Sequence, residues 1–376
     1  MALRLPQYTP IAIHIGALDA RFLQLQGGAT GWRVRSSACY PAQGGARHAH
    51  IAEQAAGELK SRRWRGKDAV VGLGSDSVEV TLVPIDHDQA ERQEQKLEQT
   101  ALAAVEDPEG VAYRWLPFNS TPGMNREELL LLTTGASELR RTTAAVESMG
   151  LRPVSMEMSS FGLSRALLAM RDQDPAPWGF LHIGFDRTAF GILHQGEVRF
   201  LKPMQLDGRT LLGALQREAE SLERRKQAPA EGPTHDLFAG AAFGDLAGER
   251  LAPKPILASE VELKQDSLSD LHRVDIEHAV ELLGAVQREA DKLAEEVRAC
   301  IRHFHSRNKG AELDGISLSG FGATLPEVEA ALHQALDAPV TPACPFSELG
   351  IHAPAEVLNE EHLWAPALGL AMRGFE

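Results

Sequence analysis

A chain of 376 residues exceeds what one hydrophobic core supports, so two or more compact units are expected. Its apolar fraction of 43% and charged fraction of 24% are those of a globular protein. The formal net charge of −14 argues against nucleic acid or an anionic membrane as the main partner, since either repels an acidic surface, although small basic patches remain compatible with it.

Cys39, Cys300 and Cys344 are odd in number and widely spaced, and they lack a CxxC or Cys/His spacing. That pattern fits three reduced thiols in a cytosolic protein. The opening MALRLPQYTPIAIHIGALDARFLQL has no apolar run long enough for a signal peptide, and no later run reaches about eighteen apolar residues. A cytoplasmic chain is expected. The apolar ending LWAPALGLAMRGFE lacks the basic face of an interfacial helix and is expected to pack on the first lobe as a terminal helix, 363–373.

In chain order, residues 10–25 read as strand, Gly-containing turn and strand, 30–40 as a further strand, and 50–63 as a helix. From residue 68, the strands DAVVGLG and SVEVTLVPI, a helix over 89–105, YRWLPF, the apolar strand ELLLLTTGA and a helix over 137–149 stopped at Gly150 form an expected small inserted α/β subdomain, 67–150. The strand LRPVSMEMSS and a helix over 161–170 return to the first sheet, and DQDPAP (172–177) is the expected linker. The first lobe thus spans 1–175 and the second 176–376.

The second lobe opens with WGFLHIGFDRTAFGILHQGEVRFLKPMQL, three strands with a hairpin turn at His194-Gln195-Gly196. A mainly helical stretch is expected over 213–310, with 227–273 irregular and a strong helix over 276–307. The strand GISLSGFGA, a Pro326-opened helix and the strand PVTPAC complete an α/β order.

The most informative feature is an internal echo. IHIGALDARFLQL (13–25) and LHIGFDRTAFGIL (181–193) both place His-Ile-Gly between apolar strands. Small-residue turns can present backbone N–H groups to an anion, so two of them facing one cleft would clamp a polyphosphate. A third element, SLSGFGATLPEVEAAL, sets Gly320 and Gly322 between a buried strand and a helix, where glycine lets a flat nucleoside approach.

With two phosphate-type hairpins and a late Gly-rich turn, the chain resembles the actin/Hsp70 ATPase superfamily. Within it, VVGLGSDSVEVTLVPI, ELLLLTTGASELRRTTAAVESMGLRPVSMEMSSFGLSRAL and WAPALGLAMR resemble, in order, the PilM-type, FtsA-like assembly proteins of bacterial type IV pili. The resemblance implies a two-lobed actin-like (ribonuclease H-like) α/β fold with duplicated core sheets and a nucleotide site between the lobes. Carried onto this chain, that site comprises His14, Gly16, Ala17, Leu18 and Arg21 from the first hairpin, His182, Gly184 and Phe185 from the second, and Gly320, Gly322 and Ala323 from the late turn.

The departures matter as much as the matches. Family members with a working site carry Asp where His14 and His182 stand, and those carboxylates hold Mg²⁺. Imidazole is a poor ligand for that hard cation, so no metal or catalytic residue is expected, ATP remains possible and Mg²⁺ doubtful. Leu18 and Phe185 would crowd a phosphate, while Arg21 keeps one cation. Phosphate attraction by protonated histidines is expected only at low pH, from a reference pKa of about 6.5.

The implied function is a cytoplasmic scaffold that binds the short N-terminal cytoplasmic tail of a PilN-type inner-membrane protein, in a groove involving 68–150 and 157–168. Other pilus or secretion components and self-association are possible, nucleic acid is not expected, and membrane contact comes only through partners. The alternative is an active actin-like ATPase or superfamily kinase, for which Asp19 and Asp186 are the only acids near the turns. The HxH pairs His48/His50 and His303/His305 lack a third metal ligand at a usable spacing and read as structural or solvated.

Overall fold

The computed structural model describes residues 7–28, 31–42, 47–61, 63–74, 77–85, 90–118, 128–171, 176–227, 276–308 and 311–373. Contacts divide the chain into one body, Met1–Gly213 with Val286–Glu376, and a second unit, Ala214–Ala285. Of that second unit, the described residues belong to the helices α5 (Gly208–Gln227) and α6 (Ile276–Arg307). The expected irregular stretch lies outside the described residues, apart from Gln227, which closes α5.

The first sheet contains β1 (Gln7–Tyr8), β2 (Ile11–Ile15), β3 (Asp19–Gly28), β4 (Gly31–Pro41), β5 (Asp68–Leu73) and β9 (Arg152–Met158). Its path is β4-β3-β2-β5-β9, with β1 beside β3 on the β2 side; β2, β3 and β4 run antiparallel, while β5 and β9 add parallel to β2. Every residue of β2 is buried, as a central strand covered on both faces requires. The covering helices are α1 (Arg47–Leu59) and α3 (Ala136–Ser148) on one side and α4 (Ser159–Met170) with α10 (Glu361–Met372) on the other.

The second sheet repeats this plan. Strands β10 (Trp178–Ile183), β11 (Thr188–His194) and β12 (Glu197–Met204) are antiparallel, and β13 (Ile316–Ser319) and β14 (Val340–Pro342) add parallel to β10, in the order β12-β11-β10-β13-β14. The echo in sequence is therefore an echo in topology, with β2 matching β10 and β3 matching β11. The α/β fold with duplicated core sheets is the one the resemblance implied. The HQG turn is a two-residue loop with Gln195 and Gly196 at φ 55° and 77°, the type I′ geometry that matches strand twist.

Two sequence expectations are corrected. The DAVVGL strand, expected in the insert, is β5 of the first sheet, because its alternating neighbours Ala69 and Val71 belong to the core beneath α1. Helix α3 joins that same core through Val146, and its C-cap residue Met149 does the same. The insert is thus β6 (Glu79–Pro84), α2 (Ala90–Ala104), β7 (Val111–Phe118) and β8 (Glu128–Gly135), an antiparallel sheet ordered β6-β8-β7. One face packs on α2 through Val83, Leu129, Leu131, Leu97 and Ala101. The other shares one core with both lobes, where Val78, Phe118 and Leu130 join Leu163, Leu167, Phe180 and Leu193, so removing the insert would expose that core rather than release an appendage.

The strand expected over 151–160 ends at Met158. Ser159 and Ser160 already open α4, which seats Ser159 under the first hairpin.

Helix α10 docks on α4 through glycine. A Cβ on Gly369 would sit 1.6 Å from the Gly162 carbonyl oxygen, and one on Gly162 would sit 2.8 Å from the Pro366 carbonyl oxygen, so the two backbones touch with no room for a methyl group. Gly369→Ala should therefore lower the urea midpoint by the equivalent of about 3 kcal/mol, the scale of overpacking. Gly57→Ala, on the exposed face of α1 with nothing within 4 Å, should be neutral or stabilising by up to about 1 kcal/mol. Parallel losses in the two variants would reject the crossing as a packing constraint.

Candidate functional site

The C-terminal ends of β2 and β10 bring His14 and His182 together, one from each sheet, with ring centroids 6.5 Å apart and planes at 77°. Each is the penultimate residue of its strand, so each side chain stands where its hairpin turns. The turns are closed by the same bond: the Gly16 N–H donates to the Asp19 carbonyl at 2.8 Å and the Gly184 N–H to the Arg187 carbonyl at 3.0 Å. Those two amides are engaged within their own turns and are not directed at a ligand.

Both imidazoles are tied through Nδ1 to a serine. His14 Nδ1 is hydrogen bonded to Ser159 Oγ at 2.8 Å, and His182 Nδ1 to Ser319 Oγ at 3.0 Å. Ser319 pairs with His182 across β10 and β13, and Ser159 opens α4, so two different elements supply matching anchors. Nothing local in the sequence marked either serine, because Ser159 lies 145 positions and Ser319 137 positions from its partner.

Around the pair is a cavity of about 120 Å³ lined by His14, Gly16, Ala17, Leu18, Arg21, His182, Gly184, Phe185 and Gly320 among the expected residues. Ser159, Arg187, Phe321 and Leu363 also line it and were not anticipated as site residues, and so do Asp19 and Asp186, noted in the sequence only as the acids near the turns. Gly322 and Ala323 do not line it. The reason for glycine at the late turn is packing: Gly320 has φ 78° and a Cβ there would sit 2.6 Å from the Ile183 carbonyl oxygen, while one on Gly322 would sit 2.5 Å from the Ile183 side chain. Both glycines thus make room for Ile183.

Burial, reinforced for His14 by its neighbour His182 and then by Arg21, holds the His14 pKa down at about 3; burial followed by Arg21 holds His182 at about 4. Both rings are neutral through the physiological range. The window for phosphate attraction, expected from the reference value of about 6.5, therefore moves down to about pH 4 and below, because the low dielectric opposes a second and third positive charge beside Arg21.

Arg21 itself is committed. It is buried, ion-paired with Asp19 at 2.7 Å, directed to the Leu363 carbonyl at 3.4 Å and stacked over the Trp364 ring at 5.6 Å, with its Nε lacking an acceptor among the described residues. Asp186 pairs with Arg209, whose guanidinium lies over Phe185, and Phe185 meets Phe321 edge to face at 5.7 Å. The two acids nearest the turns are therefore paired with arginines, and the second hairpin is filled by two aromatic rings.

The fold implies a nucleotide with Mg²⁺, and these residues do not fit that group. Two neutral imidazoles stand at the hairpins, the two arginines of the lining are ion-paired, Arg21 with Asp19 and Arg187 with Glu79, and the cavity is small beside the roughly 300–1,000 Å³ of typical ligand pockets. Among the described residues, no cluster of three or more His, Cys, Asp or Glu is arranged to hold a metal. The HxH pairs bind elsewhere: His48 contacts Glu138 and Thr142, His50 bonds Gln54, and His303 lies against Phe200. All three cysteines are free thiols.

No family model and no curated protein matches the sequence. Among solved structures, the chain is similar to the PilM-PilN type IV pilus biogenesis complex, with 16% identity over 98% of this chain and 99% of that one and a TM-score of 0.69. It is also similar to the ethanolamine utilization protein EutJ from Carboxydothermus hydrogenoformans, at 13% identity, 98% and 90% coverage and a TM-score of 0.47. An archaeal actin homolog matches at 12% identity, 99% coverage of both chains and a TM-score of 0.42. The fold is the two-lobed actin-like fold of the PilM type along nearly the whole chain.

The histidine pair makes stability pH dependent. In the unfolded chain each histidine titrates near 6.5, while the folded values are about 3 and about 4, so protons favour unfolding as pH falls through that window. At pH 5, each should withdraw about 2 kcal/mol relative to pH 7.5, from ~1.36 kcal/mol per pH unit below about 6.5. Urea unfolding of His14→Asn/His182→Asn at the two pH values should lose that part of the dependence whatever constant cost the variant carries. Superimposable pH profiles would show that the rings titrate normally.

Proposed function

We propose that this protein is an assembly scaffold of a type IV pilus or a related secretion machine, working in the cytoplasm and held at the inner membrane through partners. It binds the short N-terminal cytoplasmic tail of a PilN-type inner-membrane protein and keeps the actin-like cleft as a structural joint with a degenerate nucleotide site. The observation that carries this reading is the neutral, serine-anchored pair His14/His182 standing where a working site holds carboxylates. The full-length likeness to PilM-PilN supports the pilus assignment, and the absence, among the described residues, of any helix long and apolar enough to cross a membrane is compatible with recruitment by a partner.

We place the tail on sheet edges at or beside the groove expected over 68–150 and 157–168: most of α4 is buried, whereas β6 and β7 are the edges of the insert sheet and β9, which enters the expected groove only at 157–158, ends the first sheet. Val154 on β9 and Trp115 and Leu116 on β7 are exposed apolar side chains beside those edges. An extended tail adding to an edge would gain main-chain hydrogen bonds, with side chains such as these setting specificity.

Purified protein should show no Mg²⁺-dependent ATP hydrolysis above background, and titration calorimetry should give no Mg²⁺-enhanced ATP binding. Hydrolysis that requires Mg²⁺ and disappears in His14→Ala would overturn the degenerate-site reading. In a tail-peptide binding assay, Val154→Asp or Trp115→Ala should weaken binding roughly tenfold, the cost of a typical contact at the edge of a hot spot. Unchanged affinity in both variants would move the tail off these edges.

A further inference from the structure

The acidic chain carries a concentrated basic platform at the base of its first lobe. The segment KSRRWRGK, 60–67, follows α1 and leads into β5. Lys60, Arg63, Arg65 and Lys67 are exposed on it, Arg33 and Arg35 stand beside them on β4, and Arg152 opens β9 next to Lys67. Arg62 lies outside the described residues and is not counted. Against these seven cations stand the carboxylates of Glu58, Asp68 and Glu356, which leaves four net positive charges here and so −18 on the remainder of the chain.

The platform is built, not a chance scatter of surface charge. Trp64 is buried in the first-lobe core and anchors the loop from below. Gln24, fully buried in β3, donates to the Arg65 carbonyl at 2.6 Å and to the Thr9 carbonyl at 2.9 Å, and accepts from the Arg65 N–H at 2.8 Å. The Arg63 carbonyl accepts from Ser36 Oγ at 2.7 Å and Arg35 Nε at 3.2 Å. A buried polar side chain and two carbonyl clasps thus hold in place a loop that carries a net excess of positive charge even after its ion pairs with Glu58 and Asp68. An anionic surface would balance that excess.

We propose that this platform docks the protein directly on an anionic phospholipid surface, a contact that adds to recruitment through partners and replaces the expectation that membrane contact comes only through them. A bilayer meets one face only, which suits a cationic face on a body that is acidic elsewhere. A nucleic acid polyanion would run past the patch into that repulsive surface. Tyr8, exposed with the Arg35 guanidinium 6.0 Å above its ring, places an aromatic of the kind favoured at bilayer interfaces on the same side. The platform lies at the N-terminal ends of β5 and β9, and the histidine pair at the opposite ends of the strands, about 13 Å or more away by strand rise. Docking here directs the interlobe cleft away from the lipid. The inference does not rest on the scaffold reading, and its test uses no partner protein.

The full chain should co-sediment with phosphatidylcholine/phosphatidylglycerol vesicles and not with phosphatidylcholine vesicles, and added salt should release it. Arg33→Gln/Lys60→Gln/Arg65→Gln should bind roughly a hundredfold more weakly, at about 1 kcal/mol per basic side chain near an anionic surface. Arg33→Lys/Arg65→Lys should retain binding, as should a control neutralising Lys96, Arg114 and Arg140 on other elements. Equal partitioning to both vesicle types, or undiminished binding by the triple neutralisation, would overturn the proposal. So would binding of a DNA duplex that depends on these three residues while vesicles fail to sediment the protein.

Discussion

The contact between Gly162 and Gly369 is the constraint on which the cleft depends. Two helices approach until backbone meets backbone, and this places the start of α10 at the mouth of the interlobe cavity. From there the Leu363 carbonyl reaches Arg21, the Trp364 ring lies under the same guanidinium, and the His362 carbonyl accepts the Gly320 N–H at 3.1 Å. The buried Glu361 fixes the end of the helix by accepting the N–H groups of Phe346 at 2.7 Å and Ser347 at 3.0 Å. One helix, the last in the described chain, thereby holds parts of both hairpin neighbourhoods.

The chemistry of the cleft follows from desolvation. A carboxylate at each hairpin would have needed a cation in a setting this dry, whereas a neutral imidazole needs only hydrogen-bond partners. Each ring has one in a serine hydroxyl, while Arg21 is balanced by Asp19, whose own carboxyl is pushed up by burial against the pull of the arginine. The result is a joint that joins two sheets without a net charge at its centre. Edge-to-face packing of Phe185 on Phe321 continues the same apolar logic on the second hairpin.

The insert shows why composition alone misleads about separability. Its three strands alternate apolar side chains to both faces, and only one face is satisfied by α2. The other completes the core of the lobes, and ion pairs between Arg187 and Glu79 at 2.6 Å and between Arg307 and Glu128 at 2.9 Å tie its strands to second-lobe elements. A strand-rich block can thus read as a domain in sequence and still be structurally a wall of its neighbours.

The amino-acid sequence by itself determined what is local: the paired hairpins, the HQG turn, the left-handed stop at Gly150 and the helix over 276–307, because period, glycine and turn chemistry act within a few residues. It also determined the departure at the site, since His14 and His182 are visible as the wrong residue type for a hard cation. Only the tertiary structure decided that β5 belongs to the first sheet, that Gly320 and Gly322 serve packing against Ile183, and that Ser159 and Ser319 anchor the histidines. Those outcomes depend on which distant side chains arrive at the same point. The lowered pKa values belong to the same class, because they arise from the exclusion of water by both lobes together, and no spacing along the chain encodes that.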